Sequence, residues 1–84
     1  MRPRPGGAGG VSALTAREQQ VAALIGRGYT NRQIAAALVI TEGTARIHVA
    51  HVLAKLGFHT RAQAAAWAVA QGLVPSREPP AATP

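Results

Sequence analysis

The sequence contains no cysteine, and it has only three acidic residues and three aromatic ones. Without cysteine the chain can form no disulfide, no thiol nucleophile and no zinc finger. No apolar run approaches the roughly 18–20 residues of a membrane-spanning helix. The first ten residues, MRPRPGGAGG, include no apolar stretch, which argues against a secretory signal. We therefore expect a cytoplasmic protein with no membrane contact, no metal and no other cofactor.

Length and composition also argue against an enzyme. A chain of 84 residues forms one small domain, which leaves little room for a deep substrate cleft. The sequence shows no nucleophile–base pair, carboxylate pair, phosphate-binding loop or metal-ligand cluster. We predict a domain without enzymatic activity and without a small-molecule ligand.

Positive charge dominates the chain. Nine Lys and Arg residues stand against three Glu, for a net charge of +6. Six of the basic residues and two of the acids lie between positions 11 and 74, so that segment alone carries +4. Such a surface suits a polyanion, although a solvated basic surface would have the same composition.

The two ends differ in composition from the middle of the chain. Residues 1–10 are mostly Gly, Pro and Arg, and residues 75–84 contain four of the six prolines. These segments predict a flexible arm or linker and a disordered tail. Arg2 and Arg4 in the arm are additional candidates for phosphate contact. The folded domain is predicted for residues 11–74.

Four helix patterns fill this domain. Thr15 and Glu18 form a capping box that begins the first helix. The second helix is expected to begin at Thr30 or Asn31, and the third and fourth after Thr41 and Thr60. Alanine, with nineteen copies in the chain, favours helices that pack closely. The expected glycine stop signals are Gly28, Gly57 and Gly72.

The second and third patterns predict a helix-turn-helix over about residues 30–56. The second helix is short and ends near Leu38, a tight apolar turn follows, and the third helix runs from about Glu42 to Leu56. Ala35 is small enough to let the two helices approach. The expected fold class is therefore all-α: a compact four-helix domain whose helices 2 and 3 form a helix-turn-helix.

The third helix divides its surface. At about 100° per residue, one side is predicted to be core and consists of Ala45, His48, Val49, Val52 and Leu56. The opposite side is slim and carries one long basic residue, which suits a DNA major groove. Its members are Gly43, Arg46, Ile47, Ala50 and Ala54.

Between these faces lies a strip of Thr44, His51 and Lys55, which would meet phosphates at the edge of the groove. The competing interpretation is an ordinary solvated face. The scarcity of balancing acids on this helix argues against that interpretation, because solvated helices usually mix charges for i,i+4 pairing.

The chain resembles the LuxR-type helix-turn-helix, the C-terminal DNA-binding domain of many bacterial response regulators and quorum-sensing regulators. The resemblance covers nearly all of residues 14–74 and implies an output domain of a transcriptional regulator that binds duplex DNA. The matching segments are Leu14-Thr15-Ala16-Arg17-Glu18 with Val21, Gly28-Tyr29-Thr30-Asn31 with Ile34-Ala35 and Leu38, Thr41 with Thr44-Ala45-Arg46 and His48, and Leu53-Ala54-Lys55-Leu56.

The resemblance implies roles for individual residues. Arg46 and Ile47 match positions that face bases. Ala50 stands where related proteins often carry a polar or basic residue, and it could contact a thymine methyl group together with Ile47. For His48 a packed, hydrogen-bonded ring competes with a phosphate contact and is favoured. The residues expected at the DNA backbone are Asn31, Arg32, Thr41, Thr44, His48, His51 and Lys55.

Helix 4 is often the dimer contact in this family, and two interpretations stay open for its small residues. They form a homodimer surface, or they pack inside the domain with Trp67 in the core. RNA polymerase is a further expected partner. The alternative function is a helical protein-interaction module of the transcription machinery with weak or no DNA binding. The predicted dimer residues are Ala64, Trp67, Ala68 and Gln71.

Overall fold

The computed structural model describes residues 11–74, and the predicted arm and tail, with Arg2 and Arg4, lie outside the described residues. A short 3-10 turn at Val11–Ala13 precedes four helices. Residues 11–74 contain no strand, and the predicted all-α four-helix class is confirmed. The helices are α1 (Ala16–Gly26), α2 (Asn31–Leu38), α3 (Glu42–Leu56) and α4 (Arg61–Ala70).

A threonine caps the N-terminus of every helix, at Thr15, Thr30, Thr41 and Thr60. Each threonine oxygen accepts a hydrogen bond from the backbone N–H three residues on, which satisfies one of the free donors of the first turn. In α1, α2 and α4 a Glu or Gln at that third position closes a capping box. The helix starts predicted from the sequence are therefore confirmed.

Three of the four helices end at a glycine in the left-handed region, with φ of 86° at Gly28, 73° at Gly57 and 77° at Gly72. Helix α2 ends differently, because Val39 occupies the same position with φ 58°. The Val39 N–H donates a hydrogen bond to the Ala36 carbonyl, and the Ile40 N–H donates to the Ala35 carbonyl. A β-branched residue is strained in this conformation, so the turn of the helix-turn-helix is closed at an energetic cost.

The core consists of aliphatic side chains and alanines. Val21, Ile25, Ile34 and Val52 are its largest fully buried members. The three aromatic residues are only half-buried and pack around this cluster. Large aromatic rings are seldom completely enclosed in so small a domain, because little volume lies far from the surface. The aromatic residues are Tyr29, Phe58 and Trp67.

Helices α1 and α4 pack against each other most extensively, and α3 packs on both α1 and α2. The approach of α1 to α4 is closest at Gly26, where an added Cβ would lie 3.0 Å from Cβ of Ala68 and 2.6 Å from Cγ2 of Val74. Ala64 and Ala68 are completely buried in the domain. Close packing through alanine, expected from the composition, is therefore present and depends on this glycine.

Candidate nucleic-acid interface

Helix α3 presents one buried and one exposed face. Ala45, Val49, Val52 and Leu56 are buried, because the i, i+4, i+7 and i+11 positions of a helix share a side. On the other side the exposed residues are Arg46, Ile47, Ala50 and Ala54. The predicted division is therefore present for these eight residues, whereas Gly43 and His48, expected on the exposed and the core side, are half-buried.

The exposed face is narrow and positively charged. Arg46 is its only charged residue, and Ile47 keeps 55% of its surface accessible. An isoleucine exposed to that extent loses hydrophobic stabilisation that burial would provide. With Ala50 on the same face, the surface combines apolar groups with one guanidinium donor, which is chemistry suited to the edges of bases.

The N-terminus of α3 is capped differently from the other three helices. Thr44 occupies the position of the Glu or Gln of a capping box. The Thr41 hydroxyl accepts a hydrogen bond from the Thr44 N–H at 3.0 Å and donates to the Thr44 hydroxyl at 2.9 Å. Both side chains are exposed, so two hydroxyl groups stand where α3 begins.

Histidines 48 and 51 have different environments on α3. His48 is half-buried next to the core face, whereas His51 is exposed. His51 is therefore free to meet a ligand at the surface. Because His48 is only half-buried, its packed ring and its phosphate contact both stay predictions.

Lys55 has a partner that the sequence analysis missed. Its Nζ donates to Oε1 of Glu18 at 2.7 Å, and the Glu18 side chain is only 7% exposed. The same oxygen accepts the backbone N–H of Thr15 at 2.9 Å. The hydrogen bond from Lys55, and after it the one from Thr15, lowers the pKa of Glu18 below its ordinary value of 4.5.

The phosphate contact expected of Lys55 stays a prediction, because its side chain is still 40% exposed, and the ion pair adds a second role to it. A carboxylate removed from water needs a charged partner, and Lys55 supplies it from the last turn of α3. The two residues are 37 positions apart in the chain, so only the folded structure brings them together. The cap that Glu18 forms with Thr15 was predicted and is confirmed.

The N-terminus of α2 contains a second contact that sequence reasoning missed. Arg61, at the start of α4, donates from Nη1 to Oδ1 of Asn31 at 2.8 Å and from Nη2 to the Tyr29 carbonyl at 2.7 Å. Asn31 is half-buried and Arg32 is exposed. From the sequence Arg61 is only one of several positive charges, because nothing in its local sequence indicates a partner 30 positions away.

Two of the predicted dimer residues are not at the surface. Ala64 and Ala68 are fully buried, because they lie one turn apart on the side of α4 that packs on α1. The expectation that they contact a second copy is corrected. Trp67 is half-buried and Gln71 is exposed. The exposed small and apolar residues of α4 are Ala62, Ala66, Val69 and Ala70.

Residues 11–74 contain no group of three His, Cys, Asp or Glu side chains that could hold a metal ion. Over the same residues, every helix is too short or too polar to span a bilayer.

Comparison with known proteins identifies the relatives of this domain. A family model described as bacterial regulatory proteins, luxR family, matches residues 12–68. The nitrate/nitrite response regulator protein NarL of Escherichia coli strain K12 is 44% identical over 57 residues, which cover 68% of this chain and 26% of NarL. The response regulator protein VraR of Staphylococcus aureus strain Mu3 is 41% identical over 61 residues, which cover 73% of this chain and 29% of VraR.

A solved structure with the same architecture is that of the transcription factor GerE. It superposes with a TM-score of 0.63 at 34% sequence identity and covers 74% of this chain and 92% of the GerE chain. The chain spans between a quarter and a third of the length of NarL and VraR. The similarity to those regulators therefore concerns one domain of each.

Proposed function

The chain belongs to the luxR family of bacterial regulatory proteins, and from this premise we propose that it binds duplex DNA as the output domain of a bacterial transcriptional regulator. Helix α3 lies in the major groove in this proposal. The observation that carries it is the exposed face of α3, which is slim and basic while the opposite face is buried. The relatives support the same role, because NarL and VraR are response regulators and GerE is a transcription factor.

The proposed interface has two parts. Arg46, Ile47 and Ala50 face the base edges, where the guanidinium suits guanine and the apolar groups suit a thymine methyl. The backbone contacts position the domain on the duplex without reading its sequence. The residues proposed for that second part are Asn31, Arg32, Thr41, Thr44, His48, His51 and Lys55, and Lys55 also supports α3 through its ion pair with Glu18.

A titration with a labelled random duplex tests this function. We expect the affinity to fall steeply between about 50 mM and about 200 mM salt, because each phosphate contact made by a basic residue releases counterions. Selection of bound sequences from a random pool then reports the site, its symmetry and the spacing of half-sites. Binding that is absent at the lower salt concentration would overturn the proposal.

A protein-interaction module is the second candidate function. Val39, in the turn before α3, is 89% exposed, and an apolar side chain so accessible suits a protein surface. A chain that shows no salt-dependent DNA binding yet keeps its thermal unfolding transition would favour this candidate.

The partners beyond DNA are also proposals. A second copy would meet the exposed face of α4, with Ala62, Ala66 and Val69 taking the place of the buried Ala64 and Ala68. Sedimentation of the chain on a palindromic duplex tests this, because Val69→Glu should abolish a two-copy complex and leave binding to a single half-site intact. We also propose RNA polymerase as a partner and assign no surface of the domain to it.

A further inference from the structure

Arg61 lies at an unfavourable place for a cation. It is the first residue of α4, and its guanidinium also contacts Asn31, the first residue of α2. The N-terminus of a helix carries partial positive charge, so Arg61 sits against the positive ends of two helices. Because a neutral donor would avoid this repulsion, the planar pair of N–H donors on the guanidinium is the property that explains an arginine at this place.

The contact fixes the orientation of the Asn31 amide. An arginine side chain has five N–H donors and no acceptor. The atom of Asn31 that lies 2.8 Å from Nη1 is therefore the carbonyl oxygen Oδ1. Because the oxygen faces Arg61, the amide nitrogen with its two N–H donors faces away from the guanidinium. The second bond of Arg61, to the Tyr29 carbonyl, holds the segment that leads into α2.

We propose that Arg61 is a positioning residue for DNA binding, which acts by aiming the Asn31 amide N–H groups at a backbone phosphate. This inference rests on the function proposed above. Arg61 itself is half-buried, and two of its N–H groups donate to the oxygens of Asn31 and Tyr29. Its effect on DNA binding therefore passes through Asn31.

The first test separates the Asn31 donor from the fold. Asn31→Asp keeps an acceptor for Arg61 and removes the N–H donors, and an acid in the first turn suits the helix dipole. Gln33→Glu is the matched control, because it introduces the same charge two residues later and keeps the capping box. We expect Asn31→Asp to weaken binding of a random duplex about tenfold more than Gln33→Glu. Equal weakening by the two variants would overturn the proposal.

The second test separates positioning from direct contact. Arg61→Met is measured in the wild-type chain and in Asn31→Ala, with thermal unfolding recorded for each variant. We expect Arg61→Met to raise the Kd several-fold more in the wild-type chain than in Asn31→Ala, since in the second background the aimed group is already absent. Similar effects in the two backgrounds would show that Arg61 acts independently of Asn31 and would refute the inference.

The salt dependence distinguishes positioning from a direct phosphate contact of Arg61. If Arg61 acts through the neutral amide of Asn31, Arg61→Met leaves the slope of log K against log salt unchanged, whereas loss of a direct phosphate contact lowers it by about one. A lowered slope overturns the positioning role. If the methionine variant does not fold, Arg61→Lys carries the comparison between the wild-type and Asn31→Ala backgrounds, because lysine lacks the planar pair of donors. A wild-type chain without salt-dependent binding would reject the proposed function itself before any variant is compared.

Discussion

Nζ of Lys55 lies 2.7 Å from Oε1 of Glu18 and thereby connects the last turn of the proposed recognition helix to the first turn of α1. The same carboxylate oxygen closes the capping box with Thr15. One buried acid thus fixes a helix start and the end of α3. Any change at this pair is expected to alter both the stability of the domain and the placement of α3.

Glu18→Gln should destabilise the domain by about 1 kcal/mol, a value between those of exposed and buried ion pairs because Lys55 is 40% exposed. Glutamine can still close the capping box, as Gln33 and Gln63 do in α2 and α4. The loss therefore reports the ion pair alone. Urea unfolding at neutral pH measures it. Glu42→Gln is the control, because it removes an exposed acid and should change stability by less than about 0.5 kcal/mol.

The contribution of Glu18 to the free energy of unfolding should decrease as the pH falls. Its pKa is lowered in the folded state, chiefly by the hydrogen bond from Lys55, below the ordinary value of 4.5. The stabilisation is therefore complete above pH 4.5 and is lost as the pH falls through the lowered pKa. Unfolding free energies of wild type and Glu18→Gln should converge in acid. A difference that stays constant down to the lowest measurable pH would contradict this.

Gly26→Ala should destabilise the domain by about 1–3 kcal/mol, although alanine is the better helix former. The added methyl group would lie 3.0 Å from Cβ of Ala68 and would force α1 and α4 apart. Gly43→Ala is the matched control, since its nearest neighbours stand at 3.9 Å, and it should leave stability unchanged or raise it. Thermal unfolding of both variants measures the contrast, and equal melting temperatures would refute the close approach.

Val39→Gly should stabilise the domain by about 1 kcal/mol, because glycine adopts φ near 58° without the steric cost of a β-branched side chain. Little packing is lost, since Val39 is 89% exposed. The reverse change at an equivalent position, Gly57→Ala, should destabilise the domain. Denaturant unfolding of the two variants shows whether the free energy of unfolding rises in Val39→Gly and falls in Gly57→Ala. If Val39→Gly also weakened the binding of a protein partner, the second candidate function would gain support.

Arg46→Ala should cost about 1–3 kcal/mol in the free energy of DNA binding and relax the sequence preference. Its guanidinium is the only charged group among Arg46, Ile47, Ala50 and Ala54, which form the exposed side opposite the core. Arg17→Ala removes an equal charge from α1 and should leave the sequence preference intact. Anisotropy titrations on the selected site and on a random duplex measure both effects. An unchanged preference in Arg46→Ala would reject the base-reading role.

Local patterns in the sequence predicted the helices accurately. Thr15, Thr30, Thr41 and Thr60 cap the four helices where expected, since a capping hydroxyl and its N–H partner are only three residues apart. The two faces of α3 could also be predicted, because helical periodicity depends on spacing alone. The strained end of α2 at Val39 could not be inferred, because a valine there carries no turn signal.

The amino-acid sequence by itself determined where helices begin, which side of α3 is buried and which family the chain resembles, because these properties depend on residues that are neighbours along the chain. The tertiary structure alone decided what Lys55 and Arg61 contact and which alanines of α4 are buried. Those outcomes depend on residues 30 or more positions apart that meet only when α1 packs on α3 and α4. The charge and helix propensity of a residue follow from its type alone. The partner of its side chain depends on which residues the packed helices bring within contact distance.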